Sequence, residues 1–126
     1  MQKQLLFLDD DPVYVELVKD LAFTRNYLAL AASDGVTALR LLEAHTIDLI
    51  ISDAGDHAVP FLRDIRSDQR FYHIPFVVLA GPSHSALRQE LDGEPNVKLV
   101  NKADIVTELL ALLSHEPSPP EESSDK

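Results

Sequence analysis

The sequence of 126 residues contains no cysteine and no tryptophan, and acidic side chains far outnumber basic ones. Without cysteine, neither a disulfide nor a thiolate metal site can form, and the redox compartment cannot be inferred. The formal net charge of −10 argues against direct nucleic-acid binding, because phosphate recognition needs clustered Lys and Arg. No apolar run approaches the roughly 20 residues of a membrane span, and no signal peptide precedes the first apolar run. These absences predict a cytoplasmic protein with no direct contact to nucleic acid or membrane.

The length and the local composition divide the chain into one domain and one tail. Residues 1–114 are enough for a single domain with a core of its own. Residues 115–126 contain three prolines and no apolar side chain, so this segment cannot bury enough surface to become ordered. We therefore expect a folded domain over 1–114 and a disordered Pro/Ser/Glu-rich tail or linker over 115–126.

Strand-like and helix-like segments alternate along the domain. Short apolar runs typical of buried strands cover residues 4–8, 28–32, 47–52, 75–80 and 97–100. Between them, apolar residues recur at the i, i+3, i+4, i+7 spacing of an amphipathic helix. These sets are Tyr14, Leu17, Val18 and Leu21, then Ala58, Phe61, Leu62 and Ile65, then Val106, Leu109, Leu110 and Leu113. Five such βα units predict an α/β fold with a parallel sheet covered by helices on both faces.

The expected helix starts carry suitable residues. Pro12 suits the first turn of the first helix, because its missing N–H would be unpaired there in any case. Ser33 or Asp34 can cap the second helix, and Ser83 can cap a short fourth helix.

Charged residues stand at the ends of three strand-like runs. Asp9 and Asp10 follow the first run, Asp53 ends the third, and Lys102 follows the fifth. Because the carboxyl ends of parallel strands lie at one edge of the sheet, these side chains should meet. Three carboxylates at one place repel one another unless a hard cation and a lysine compensate their charge. The pattern therefore predicts a functional site.

The order of these features resembles the receiver domain of two-component response regulators. The resemblance rests on Asp-Asp-Asp-Pro at 9–12, Asp-Leu-Ile-Ile-Ser-Asp at 48–53, Pro-Phe-Val-Val-Leu at 75–79 and the lysine after the fifth strand, and it spans about residues 3–114. It implies a flavodoxin-like (βα)5 fold, doubly wound around a parallel five-stranded sheet in the order 2-1-3-4-5. It also implies a cytoplasmic signalling phosphoprotein that acts in a phosphorelay.

The resemblance assigns a role to each residue of the acidic site. Asp53 matches the phosphorylated aspartate, which is also a Mg²⁺ ligand. Asp10 matches a direct Mg²⁺ ligand, and Asp9 a residue that acts on Mg²⁺ mainly through water. The backbone carbonyl of Gly55 matches a further Mg²⁺ ligand, and Lys102 matches the lysine that contacts the phosphate. The implied partners are a histidine kinase or phosphotransfer protein that donates the phosphoryl group, and an effector domain or output protein that receives the signal. No enzymatic activity is implied beyond self-phosphorylation and self-dephosphorylation.

The sequence departs from the receiver pattern in three regions. The loop at 54–59 lacks the usual Met-Pro-x-Met-Asp-Gly-like stretch and is shorter. Ala80 stands where a switch hydroxyl ends the fourth strand, and Leu99 stands where an aromatic residue usually moves with it. Ala103 replaces the proline that follows the lysine, so we expect a trans peptide between Lys102 and Ala103. Output switching is therefore expected to be atypical.

Two alternatives stay open at the level of the sequence. A phosphorylation-independent pseudo-receiver would keep the fold and the acidic pocket and would act only through protein contacts. A haloacid-dehalogenase-like phosphatase would use Asp9 as nucleophile and Asp11 as general acid, although Asp11 also suits the start of a helix. His57, close behind Asp53, is expected to be a solvated loop residue rather than a phosphohistidine or a metal ligand.

Overall fold

The structure, a computed structural model, describes residues 2–114 as an alternation of five strands and five helices. The strands are β1 (Lys3–Leu8), β2 (Tyr27–Ala32), β3 (Leu49–Asp53), β4 (Phe76–Ala80) and β5 (Val97–Asn101). The helices are α1 (Pro12–Thr24), α2 (Gly35–Ala44), α3 (Ala58–Arg66), α4 (Ser85–Leu91) and α5 (Ile105–Ser114), with a 3₁₀ turn at Lys102–Asp104. Every expected strand and helix is present, whereas the prediction for residues 115–126 lies outside the described residues.

The five strands form one parallel sheet in the order β2-β1-β3-β4-β5. The expected fold class is thereby confirmed. Leu8 at the end of β1 pairs with Ser52 in β3, so the residues that follow them, Asp9 and Asp53, leave the sheet at the same level. On the other side of β3, Ala80 at the end of β4 pairs with Asn101 of β5. The register therefore determines which side chains can meet at the carboxyl edge.

Two buried clusters lie on opposite faces of the sheet, and β1 contributes to both. Leu6 and Leu8 belong to the cluster beneath α2, α3 and α4. Leu5 and Phe7 belong to the cluster beneath α1 and α5. All four β1 side chains are almost fully buried, as expected for a parallel strand covered on both faces.

Within residues 2–114, no helix is long and apolar enough to cross a membrane.

Most of the expected helix starts are confirmed, and one is wrong. Asp11 and Asp34 cap α1 and α2, and each carboxylate accepts a backbone N–H from the first turn. Ser83 does not cap α4, because the residue before that helix is His84. The Nδ1 atom of His84 accepts the N–H of Gly81 at 2.9 Å, so the imidazole holds this turn.

The apolar face of α5 is rotated slightly from the expected one. Leu109 and Leu113 are buried as predicted, but Val106 is 45% exposed and Ile105 is buried instead. Buried positions at i, i+4 and i+8 still form one helical face. That face includes the first residue after the 3₁₀ turn, which the spacing alone did not indicate.

Candidate functional site

The carboxylates of Asp9, Asp10 and Asp53 come together at the carboxyl edge of the sheet. Each offers one oxygen, and these three oxygens all lie within 4.8 Å of one another. Asp9 and Asp10 follow β1, and Asp53 ends the neighbouring strand β3. The sheet register therefore assembles the acidic cluster that the sequence predicts.

Asp9 is the buried member of the cluster, with 4% of its surface exposed. Its Oδ1 atom accepts the N–H of Asp11 at 3.0 Å, whereas its Oδ2 atom is buried without a hydrogen-bond partner. Burial raises the pKa of the Asp9 carboxyl, and the nearby charge of Asp53 raises it further, against opposing contributions from the Asp11 N–H and Lys102. A buried carboxylate oxygen that lacks a partner, close to two other carboxylates, fits a hard divalent cation such as Mg²⁺.

Asp53 lies partly exposed and is contacted from its own loop. Its Oδ1 atom accepts the N–H of Gly55 at 3.4 Å, and the Nε2 atom of His57 lies 2.5 Å from the same oxygen. His57 lies in the loop as expected, but its ring contacts Asp53 instead of pointing into solvent, so that part of the expectation is wrong. The short loop brings the ring back over the aspartate four positions earlier, and only the conformation of that loop reveals the contact.

Gly55 also offers its backbone carbonyl, the oxygen that the resemblance assigns to Mg²⁺. This carbonyl accepts the N–H of Ala58 at 3.0 Å in the turn that begins α3. A carbonyl oxygen has two lone pairs, so one acceptor position on Gly55 remains for a cation.

Lys102 lies near the acidic cluster but does not pair with it. Its Nζ atom is 4.4 Å from the centroid of the Tyr14 ring, an arrangement typical of a cation–π contact. Among residues 2–114, no ion pair within 4.0 Å includes Lys102. The following peptide to Ala103 is trans, as predicted, since the described residues contain no cis peptide.

The two expected switch positions carry apolar side chains that are held in the core. Ala80 is fully buried at the end of β4, and its carbonyl accepts a weak hydrogen bond from Arg88 at 3.5 Å. Leu99 is half-buried and packs against the cluster beneath α2, α3 and α4. Neither side chain can donate or accept a hydrogen bond.

Sequence relatives identify the chain. It is 30% identical over 113 residues to hybrid signal transduction histidine kinase D of Dictyostelium discoideum, which covers 85% of this chain and 7% of that protein. It is also 30% identical over 83 residues to the chemotaxis protein CheY of Pseudomonas aeruginosa, which covers 60% of this chain and 64% of CheY. The chain belongs to the receiver domains of two-component response regulators. No family model matches this receiver domain, and it spans less than two thirds of the length of either relative.

Solved structures agree with the fold of this receiver domain. Chemotaxis protein CheY4 of Vibrio cholerae superposes with a TM-score of 0.79 at 22% identity, covering 90% of this chain and 97% of that one. The receiver domain of a sensor histidine kinase from Pseudomonas aeruginosa superposes with a TM-score of 0.75 at 21% identity, covering 90% and 95%. That structure holds a magnesium ion coordinated in its active-site cleft.

Proposed function

We propose that this receiver domain accepts a phosphoryl group onto Asp53 with Mg²⁺ bound at the acidic cluster. The observation that carries the proposal is the group of three carboxylate oxygens within 4.8 Å of one another. In this cluster the buried Oδ2 atom of Asp9 has no hydrogen-bond partner. Folding three like charges into one place lowers stability, and such a cost is typical of sites built for a ligand. Asp9, Asp10 and the Gly55 carbonyl would hold the cation beside Asp53.

The chemical step is displacement at phosphorus by a carboxylate oxygen. An oxygen of Asp53 forms the new P–O bond while the P–N bond of a phosphohistidine in the donor breaks. The departing imidazole keeps the electron pair of that bond and takes a proton from solvent. Mg²⁺, when bound, would neutralise charge on the transferring phosphoryl oxygens. Lys102 would contribute a positive charge after leaving the Tyr14 ring.

The donor would be a histidine kinase or a phosphotransfer protein, and the output would pass to an effector domain or a separate protein. We propose that this output is atypical, because neither Ala80 nor Leu99 offers a polar group to a phosphoryl group on Asp53. The same two positions favour the second candidate, a pseudo-receiver that acts by protein contact alone. The phosphatase alternative is weaker, since the carboxylate of Asp11 is engaged in capping α1, where it accepts the N–H of Val13 at 2.9 Å.

The test is incubation with acetyl phosphate and Mg²⁺, followed by intact mass measurement. The wild type should gain one phosphoryl group, and Asp53→Asn should gain none. Asp56→Asn is the matched control, because Asp56 is an exposed carboxylate in the same loop and its loss should leave phosphorylation intact. Absence of the adduct in the wild type, or its persistence in Asp53→Asn, would contradict the proposal. Turnover of p-nitrophenyl phosphate would instead support the phosphatase.

A further inference from the structure

The side chain of His57 contacts Asp53 instead of capping the helix that follows it. It is the residue before α3, yet its side chain makes no capping hydrogen bond, unlike the aspartates before α1 and α2. The ring instead turns back, and its Nε2 atom lies 2.5 Å from the Oδ1 atom of Asp53. The side chain therefore contacts Asp53 and does not cap the helix.

The loop provides space for this ring. A Cβ atom at Gly55 would lie 3.2 Å from Cε1 and 3.4 Å from Nδ1 of His57, which is tight for a Cβ contact. A larger residue at position 55 would therefore require the imidazole ring to shift slightly. The backbone N–H of Gly55 approaches the same Oδ1 atom, so the loop covers this oxygen from two sides.

The position of the ring does not suit a metal ligand. The three ligand atoms that lie within 4.8 Å of one another belong to Asp9, Asp10 and Asp53, and His57 is outside this group. The Nε2 atom also makes no aligned hydrogen bond, although it is buried against the carboxylate. The contact therefore covers Asp53 without binding a shared cation.

Covering an oxygen at this distance obstructs its chemistry. A nucleophile and the atom it attacks must approach to about 3 to 3.5 Å with the orbitals aligned. An imidazole nitrogen 2.5 Å from Oδ1 fills that approach, and a phosphorus atom cannot occupy the same space. The His57 side chain is 35% exposed, so it can rotate into solvent without unpacking the core.

We propose that Oδ1 of Asp53 is the attacking oxygen and that His57 is a gate over it, so that the ring must rotate away from Oδ1 before this oxygen attacks a phosphoryl donor. This inference rests on the proposed function. With acetyl phosphate, an oxygen of Asp53 bonds to phosphorus as the P–O bond to the acetyl group breaks, and acetate leaves with the electron pair. A gate that is closed for roughly nine-tenths of the time slows uptake about tenfold.

The experiment compares the phosphorylation rates of three proteins with acetyl phosphate and Mg²⁺ at one pH: the wild type, His57→Ala and His57→Gln. Intact mass measured over time gives each rate. His57→Ala should gain the phosphoryl group about tenfold faster, and His57→Gln should be intermediate because its amide can still reach Oδ1. His45→Ala is the matched control, since His45 is exposed at the end of α2, and it should react at the wild-type rate. The Mg²⁺-dependent rise in the unfolding midpoint should be equal in the wild type and His57→Ala, which separates a gate from a merely structural role.

The outcomes distinguish the gate from the proposed function. Equal rates for the wild type and His57→Ala would overturn the gate while the phosphoacceptor role of Asp53 stands. A slower His57→Ala would also overturn the gate, because it would show that the imidazole assists transfer. No adduct on either protein would overturn both proposals.

Discussion

Three carboxylates meet at the ends of β1 and β3, whereas Ala80 at the end of β4 and Leu99 within β5 carry apolar side chains. The first region, here the acidic half of the site, consists of Asp9, Asp10 and Asp53. The second, here the apolar half, consists of Ala80 and Leu99, which are held by core packing. The acidic half can bind charge, and the apolar half cannot form a polar contact with it.

This difference separates two properties that a receiver usually combines. The register of β1 against β3 brings Asp9 and Asp53 to the same level of the sheet. Under the proposed function, cation and phosphoryl binding would persist while a relay toward α4, β5 and α5 would be lost. A ligand shifts a conformational equilibrium only through contacts that differ between the two states, and the apolar half offers no such polar contact.

The largest expected effect tests the acidic half. Mg²⁺ should bind the folded state and raise the free energy of unfolding by mass action, by about 2.7 kcal/mol at a hundredfold excess over Kd. Asp10→Ala should lose most of this gain, because it removes an exposed carboxylate of the cluster. Chemical denaturation with and without millimolar Mg²⁺ measures both values.

The control for the metal experiment is Asp20→Asn, which neutralises an exposed carboxylate on α1. This variant should respond to Mg²⁺ as the wild type does. An unfolding curve of the wild type that does not move with Mg²⁺ would rule out the acidic half as a cation site.

The sequence predicts some parts of the site better than others. Apolar periodicity and strand-end acids are properties of the chain itself, so they predict the five βα units and the meeting of Asp9 with Asp53. The direction of a long or loop-borne side chain depends on neighbours that periodicity does not specify. Lys102 therefore lies against Tyr14 rather than in an ion pair with a carboxylate, and His57 lies against Asp53 rather than in solvent.

A smaller effect concerns the repulsion within the acidic half. Without Mg²⁺, Asp9→Asn should raise the free energy of unfolding by about 1 kcal/mol, because it removes the cost of burying the Asp9 charge and its repulsion from Asp53. The substitution removes a buried charge, and the amide oxygen can still accept the N–H of Asp11. Urea denaturation at neutral pH measures the difference, and a clear loss of stability would show that the charge of Asp9 is satisfied without a cation.

The pH dependence of this effect follows from the raised pKa of Asp9. At pH values above 3.8, the ordinary pKa of an aspartate, the folded state holds the Asp9 proton more tightly than the unfolded chain does. Stability from this group is therefore present at low pH and is lost as pH rises through the raised pKa. Lowered pKa values at Asp34 and Asp68 act in the opposite direction, so the difference between wild type and Asp9→Asn isolates Asp9. That difference should shrink on acidification from pH 7 toward pH 4.

The smallest expected effect tests the apolar half. Beryllofluoride with Mg²⁺, a mimic of the phosphoryl group, should change backbone amide NMR shifts in the loops that follow Asp53 and Ala80. Shifts through β5 and α5 should stay small, because Leu99 offers no polar contact to the ligand and Ala80 has no hydroxyl to reach it. Ala80→Ser sharpens the comparison, since one added oxygen supplies the missing donor with little extra volume, and it should extend the shifts into β5. Large shifts through Leu99 and α5 in the wild type would show that another residue relays the signal, and the separation of the two halves would then be wrong.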